Sequence, residues 1–128
     1  AGLFYFPHYG NYPAYDAKQN TRTVADLQLV AWMLSQFSTI EEIKAAMQDI
    51  RVVSVDTTGA SSTVHWRIGD ANGRQVVLEF VDGVPCFYEN EIGVLTNSPG
   101  FPWQMTNLSG WGRGTSIRWC NYLSIWCR

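Results

Sequence analysis

Charge is scarce in this sequence. Only 16% of its 128 residues are charged, and 9 basic side chains against 11 acidic ones leave a net charge of −2. A nucleic-acid surface needs a basic stripe to neutralise phosphates, so no nucleic-acid partner is expected. Long apolar runs are missing as well. No stretch approaches the ~18–20 residues that cross a bilayer, so no membrane partner is expected. The aromatic, uncharged start from Ala1 to Tyr12 also lacks the basic segment that opens a secretory signal. Cysteine is sparse and odd in number. Cys86, Cys120 and Cys127 show no Cys-x-x-Cys spacing, so neither a disulfide framework nor a zinc site is expected, and a reducing, cytoplasmic compartment is the default. With 46% apolar residues the chain has enough surface to bury, which excludes a disordered linker. What remains is a globular domain of one core.

The aromatic residues that are present come in blocks. Phe4, Tyr5, Phe6, His8, Tyr9 and Tyr12 put six rings into twelve residues, where Pro7, Gly10 and Pro13 turn a strand-like start into a loop. So many rings must pack under the domain, line a pocket or face a partner. Thr23 then reads as the cap of a first helix, with Asp26 in its first turn and an apolar stripe of Leu27, Val30, Leu34 and Phe37, broadened by Ala31, Trp32 and Met33. Thr39-Ile40-Glu41-Glu42 is a second capping signature, followed by Ile40, Ile43, Met47 and Ile50 and a predicted end near Arg51. The two form a helical hairpin.

Beyond Arg51 the apolar period shortens to two. Val52–Val55, Val64–Gly69, Gln75–Val81, Pro85–Glu89 and Gly93–Thr96 read as strands, separated by a polar loop at Asp56–Ser62 and by turns at Asp70–Gly73 and Asp82-Gly83. Helices first and an antiparallel meander second predict an α+β fold, a helical hairpin packed on a mostly antiparallel sheet. The last stretch, Trp111–Arg128, holds three tryptophans and two cysteines, and Ser116–Tyr122 reads equally as helix or strand.

Few residues carry obvious chemistry. His65 reads as a structural or exposed strand residue and His8 as a polar tip on an aromatic loop. Cys86, between Pro85 and Phe87, is a small buried hydrophobe on the plain reading, while a His65–Cys86 nucleophile pair requires a geometry that spacing does not supply. The carboxylates are scattered over helix starts and turns, and no glycine-rich phosphate loop is present. Thr96-Asn97-Ser98-Pro99 is the segment to single out. It reads either as a turn or as a place where the Asn97 amide faces a cleft and donates to a developing oxyanion, and the spacing does not choose.

Several segments together resemble one family. They are Ala1-Gly2-Leu3 with Tyr5-Phe6-Pro7, Trp32 to Ile43, Val64-His65-Trp66 with Asp70 to Gly73, and Val76 to Glu79. The strongest is Gly93 to Phe101, continuing through Trp103-Gln104 and Thr106-Asn107-Leu108. Over about residues 1–111 this resembles the central portion of the choloylglycine hydrolase and penicillin V acylase family, with 112–128 a divergent tail. The resemblance implies part of the αββα sandwich of N-terminal-nucleophile hydrolases. In that family an N-terminal cysteine attacks an amide, its own α-amine serves as base, and an asparagine of the Thr-Asn-Ser/Asn-Pro segment helps build the oxyanion hole. Asn97 is the matching position, and Phe4, Tyr5, Phe6 and Tyr9 match residues near the acyl pocket. The implied substrates are conjugated bile acids or phenoxyacetyl-type penicillins, with acyl-homoserine lactones for some relatives. No cofactor or metal is implied.

The sequence starts with Ala1, and the segment carrying the nucleophile is not in it. The expectation is therefore a fragment or truncated relative, inactive alone. The alternative is a free-standing, self-associating module that binds a hydrophobic small molecule or a protein partner. Either way the chain is expected to be a homo-oligomer or to need complementary segments. A thiol enzyme using Cys86 is a third reading.

Overall fold

A computed structural model of the chain describes residues 2–7, 22–55, 62–111 and 126–127. In chain order these form β1 (Gly2–Pro7), β2 (Arg22–Ala25), a 3-10 turn at Asp26–Gln28, α1 (Leu29–Gln36), α2 (Ile40–Ala46), β3 (Ile50–Val53) and β4 (Ser62–Gly69). They continue with β5 (Gln75–Val81), β6 (Val84–Glu89), α3 (Phe101–Trp111) and β7 (Trp126–Cys127). The main sheet runs β1-β4-β5-β6-β7 with every pair antiparallel, and β2 and β3 form a separate parallel pair. The fold is α+β, as the patterning predicts.

Strand β5 sits in the middle, and its near-continuous Val-Val-Leu-Glu-Phe run is buried on both faces. Alternation along the strands divides the residues between two layers. Val64, Trp66, Ile68, Val76, Leu78, Phe80 and Phe87 pack on Leu29, Met33, Ile40, Ile43, Met47 and Val52 of the helical hairpin and β3. The opposite face carries Val77, Cys86 and Tyr88 against Phe101 of α3, with Leu95 and Met105 alongside. Tight turns set the registers. Asp82 and Gly83 take φ of 50° and 80°, the left-handed pair that joins strands through two residues. At the preceding turn Asp70 accepts from the backbone N–H groups of Asn72 and Arg74 at 2.9 and 3.2 Å, and Gly73 supplies a φ of 83°.

The capping box at Thr39 forms as expected. Its hydroxyl accepts from the Glu42 N–H at 3.3 Å, and Glu42 accepts from the Thr39 N–H at 3.1 Å. Other expectations shift. Thr23 caps no helix, because residues 22–25 pair with β3, and α1 begins at Leu29. The buried side of α1 is Leu29 and Met33, while Leu27 and Leu34 are 59% and 66% exposed, so the predicted stripe points partly outward. Helix α2 stops at Ala46, and Ile50 opens β3, since its backbone is taken by Arg22 of β2.

Gly93–Thr96 is not a strand. Side chains satisfy its backbone instead: Asn90 bonds the Gly93 N–H and the Val94 carbonyl, and Gln104 bonds both backbone groups of Thr96. Helix α3 was not foreseen. Pro102 suits a first helical turn, but only Phe101 and Gln104 of its described side chains are buried, too few to give a helical period. The polar loop from Asp56 and the undecided stretch at Ser116–Tyr122 fall outside the described residues, apart from Ser62, which starts β4.

Candidate functional site

The face of the sheet beneath α3 holds a buried polar cluster. Trp66 and Leu78 are paired across β4 and β5 on the hairpin side, and alternation turns their neighbours His65 and Glu79 to the α3 side. Each is almost fully buried, at 0% and 1% exposure. His65 Nδ1 lies 2.9 Å from Glu79 Oε1, and its Nε2 lies 2.9 Å from the Thr96 carbonyl oxygen. A carbonyl only accepts, so Nε2 carries a proton and donates. Glu79 Oε1 also accepts from the Phe101 N–H at 2.7 Å. One acceptor oxygen thus ties the β4 histidine to the start of α3.

Gln104, one turn into α3, completes the cluster. Its Nε2 donates to the carbonyls of Thr96 and Pro99 at 3.1 and 2.6 Å, and its Oε1 accepts from the Thr96 N–H at 3.1 Å. The Thr96 hydroxyl donates to the Ser98 carbonyl at 3.1 Å, and the Ser98–Pro99 peptide is cis. Burial first, and then the negative charge of Glu79, hold the nearby Tyr88 phenol above its ordinary pKa.

These bonds define the segment that the sequence reading singled out. Asn97 lies between Thr96 and Ser98 on an exposed stretch of this loop. Phe4, Tyr5 and Phe6 fall in β1, opposite His65, Val64 and Thr63, so the β1 backbone at Phe4 is level with the histidine that grips Thr96. Tyr9 lies outside the described residues, as does His8. Of the structural or exposed positions expected for His65, the structure shows a buried one, and its partner Glu79 was missed. The available signal was a lone carboxylate inside an apolar strand, since such a group must find a donor when buried.

Cys86 is disulfide-bonded, and the register sets Cys127 of β7 opposite it. The odd cysteine count gave no hint of this, because a count carries no information on proximity. A disulfide sulfur has no thiolate to offer, so the Cys86 nucleophile reading falls. Among the described residues no group of three metal-ligating side chains converges, and no helix is long and apolar enough to cross a membrane.

A second ionic cluster serves the hairpin side. Arg74 bonds Glu41 of α2 and Glu89 of β6, and Lys44 lies 3.5 and 3.6 Å from the same two carboxylates. The Arg74 hydrogen bond is the main cause holding both carboxyls below their ordinary pKa. A groove of about 730 Å³ lined by Arg22, Trp32, Phe37 and Asp49, among others, shares no residue with the His65–Glu79 cluster.

The family model for linear amide C-N hydrolases, choloylglycine hydrolase family, matches residues 1–119. A bile salt hydrolase/transferase of Clostridium perfringens is 34% identical over 106 residues, covering 81% of this chain and 32% of that protein. A variant of conjugated bile acid hydrolase from Clostridium perfringens superposes with a TM-score of 0.72 at 32% identity, over 85% of this chain and 34% of that one. The penicillin V acylase of Agrobacterium tumefaciens shares the fold, with a TM-score of 0.65 at 24% identity, over 86% of this chain and 34% of that one. The chain spans about a third of the length of the relatives it matches.

Proposed function

The chain belongs to the choloylglycine hydrolase family of linear amide C-N hydrolases, and on that premise we propose that residues 96–101 form the oxyanion-stabilising wall of an amide-cleaving site. The Asn97 side-chain N–H is the donor. When a nucleophile adds to an amide carbonyl, charge collects on the oxygen. A fixed donor aimed at that position stabilises the transition state by about 2.7–4 kcal/mol. The observation that supports this reading is the exposure of Asn97 within a loop whose neighbouring backbone groups are already bonded to buried side chains. Phe4, Tyr5, Phe6 and Tyr9 supply acyl contacts, and the substrate is a small acyl amide of the conjugated bile acid or phenoxyacetyl penicillin type.

These 128 residues correspond to about a third of the length of the hydrolases they match, and we infer that they are one part of such a site. By themselves they turn over no amide. The test uses the polypeptide recovered from its native source, with intact mass and N-terminal residue determined, then incubated with glycine- and taurine-conjugated bile acids and with penicillin V. In a longer product bearing an N-terminal cysteine, Asn97→Ala should lower kcat by roughly 10²–10³-fold. An unchanged kcat would overturn the Asn97 assignment, and turnover by the 128-residue chain alone would overturn its inactivity.

A binding role is the second reading, supported by the outward pair Leu27 and Leu34, seven residues apart and both more than half exposed. A second copy of the chain covering them predicts a dimer by light scattering that Leu34→Glu dissociates. The cytoplasmic placement faces the disulfide at Cys86, since disulfides persist in oxidising compartments. Thiol counting on the native product decides between them.

A further inference from the structure

We propose that His65, Glu79 and Gln104 are positioning residues that present Asn97, a role that rests on the reading of Asn97 as the oxyanion donor. All their bonds to the segment go to backbone atoms. His65 Nε2 and Gln104 Nε2 hold the Thr96 carbonyl from two directions, Gln104 Oε1 holds the Thr96 N–H, Gln104 Nε2 holds the Pro99 carbonyl, and Glu79 Oε1 holds the Phe101 N–H. The chain is therefore fixed at 96, 99 and 101, on both sides of Asn97, without using any side chain of the loop except the Thr96 hydroxyl. Three side chains, 0%, 1% and 7% exposed, do the holding from below, and Asn97 stands above them in the exposed layer.

The chemistry of the three suits that task. A donor contributes to a transition state only when held within ~0.5 Å of the productive position, which requires supporting residues locked by their own packing and bonds. Glu79 fixes the orientation of the His65 ring through Nδ1, so that Nε2–H aims at Thr96. Gln104 uses three hydrogen bonds on the backbone of residues 96–99, and its planar amide fixes their relative directions. The cluster converges on the backbone of Thr96 before one exposed asparagine and of Pro99 and Phe101 after it.

The experiment is ¹⁵N relaxation and amide hydrogen exchange on the labelled 128-residue chain, comparing it with Gln104→Leu and His65→Phe. Gln104 lies at the edge of the cluster, so its variant keeps the test available where the His65 substitution disrupts the sheet. In the parent chain the Asn97 backbone order parameter should be near the rigid value of about 0.85. In Gln104→Leu it should fall below about 0.6, and Thr96 exchange should accelerate about tenfold, while Val77 and Leu78 in β5 keep their protection. Gln104→Glu keeps an acceptor for the Thr96 N–H but sets an oxygen against the Thr96 and Pro99 carbonyls, so it should not restore the Asn97 order parameter. An Asn97 order parameter unchanged in Gln104→Leu overturns the proposal, and so does loss of protection at Val77 and Leu78 in step with Thr96. These readouts need no substrate. Failure of the Asn97 reading appears separately, as unchanged turnover of Asn97→Ala.

Discussion

Replacing Glu79 by alanine isolates the energetic weight of the buried cluster. The carboxyl group is 1% exposed, and its Oε1 lies 2.9 Å from His65 Nδ1 and accepts from the Phe101 N–H at 2.7 Å. Removing it leaves two buried polar groups, His65 Nδ1 and the Phe101 N–H, without that partner, each worth about 1–3 kcal/mol. Breaking a buried pair costs about 3–5 kcal/mol when the remaining partner is charged. These are overlapping descriptions of one event, so the expected loss is about 3–5 kcal/mol, a large share of the ~5–15 kcal/mol that holds a domain of this size together. For a chain of this length that lowers the melting temperature by roughly 10–20 °C.

Glu79→Gln separates geometry from charge. Its single carbonyl oxygen still accepts from Phe101 while its NH₂ faces the histidine, or the reverse. One bond is strained or lost, and the expected loss is about 1–3 kcal/mol. Urea unfolding followed by circular dichroism measures both variants. The reasoning is refuted if Glu79→Ala unfolds within about 0.5 kcal/mol of the parent chain, or if Glu79→Gln is as damaging as Glu79→Ala.

Other expectations follow from the helices and the ion cluster. Thr39→Ala removes the capping hydroxyl and should destabilise by about 1 kcal/mol in the same unfolding assay. Leu29→Ala should cost about 2–5 kcal/mol because Leu29 is fully buried, whereas Leu34→Ser should stay within about 0.5 kcal/mol, the reverse of what the apolar stripe alone suggests. Arg74 holds the Glu41 and Glu89 carboxyls below their ordinary pKa. Their contribution is therefore complete above the ordinary carboxylate range and lost as pH falls through the depressed values of the folded chain. Acid titration should show a steeper loss of stability in the parent chain than in Arg74→Ala. The difference should be no more than about 1 kcal/mol, since Glu41 is mostly exposed.

The parts that were legible in the sequence are those governed by near neighbours. The Thr39 capping box, the Asp82-Gly83 hairpin and the alternation of β4 to β6 depend on residues within a few positions of one another, so pattern and outcome agree. The misreadings are positions where a distant segment decides. Arg22–Ala25 is a strand because β3, some 28 residues on, runs beside it. Leu27 and Leu34 carry the helical period but lie outside the core, because periodicity fixes a face and not the side on which the sheet lies. Gly93–Thr96 has strand composition, yet the amides of Asn90 and Gln104 take the backbone bonds a neighbouring strand would otherwise provide.

Candidate site residues divide the same way. By itself the sequence determined the α+β class, the singled-out segment around Asn97 and the resemblance to a family of amide hydrolases, because local pattern and motif order survive without knowledge of the fold. Only the tertiary structure decided that His65, Glu79 and Gln104 meet beneath that segment. They are separated by 14 and 25 positions along the chain, and what joins them is the register of β4 on β5 and the docking of α3 over that face. Sequence spacing carries no trace of such a meeting. The need of a buried carboxyl group for polar partners is the physical demand that the fold had to satisfy, and it was met by a histidine on β4, the strand next to the edge, and by the backbone of the helix it anchors.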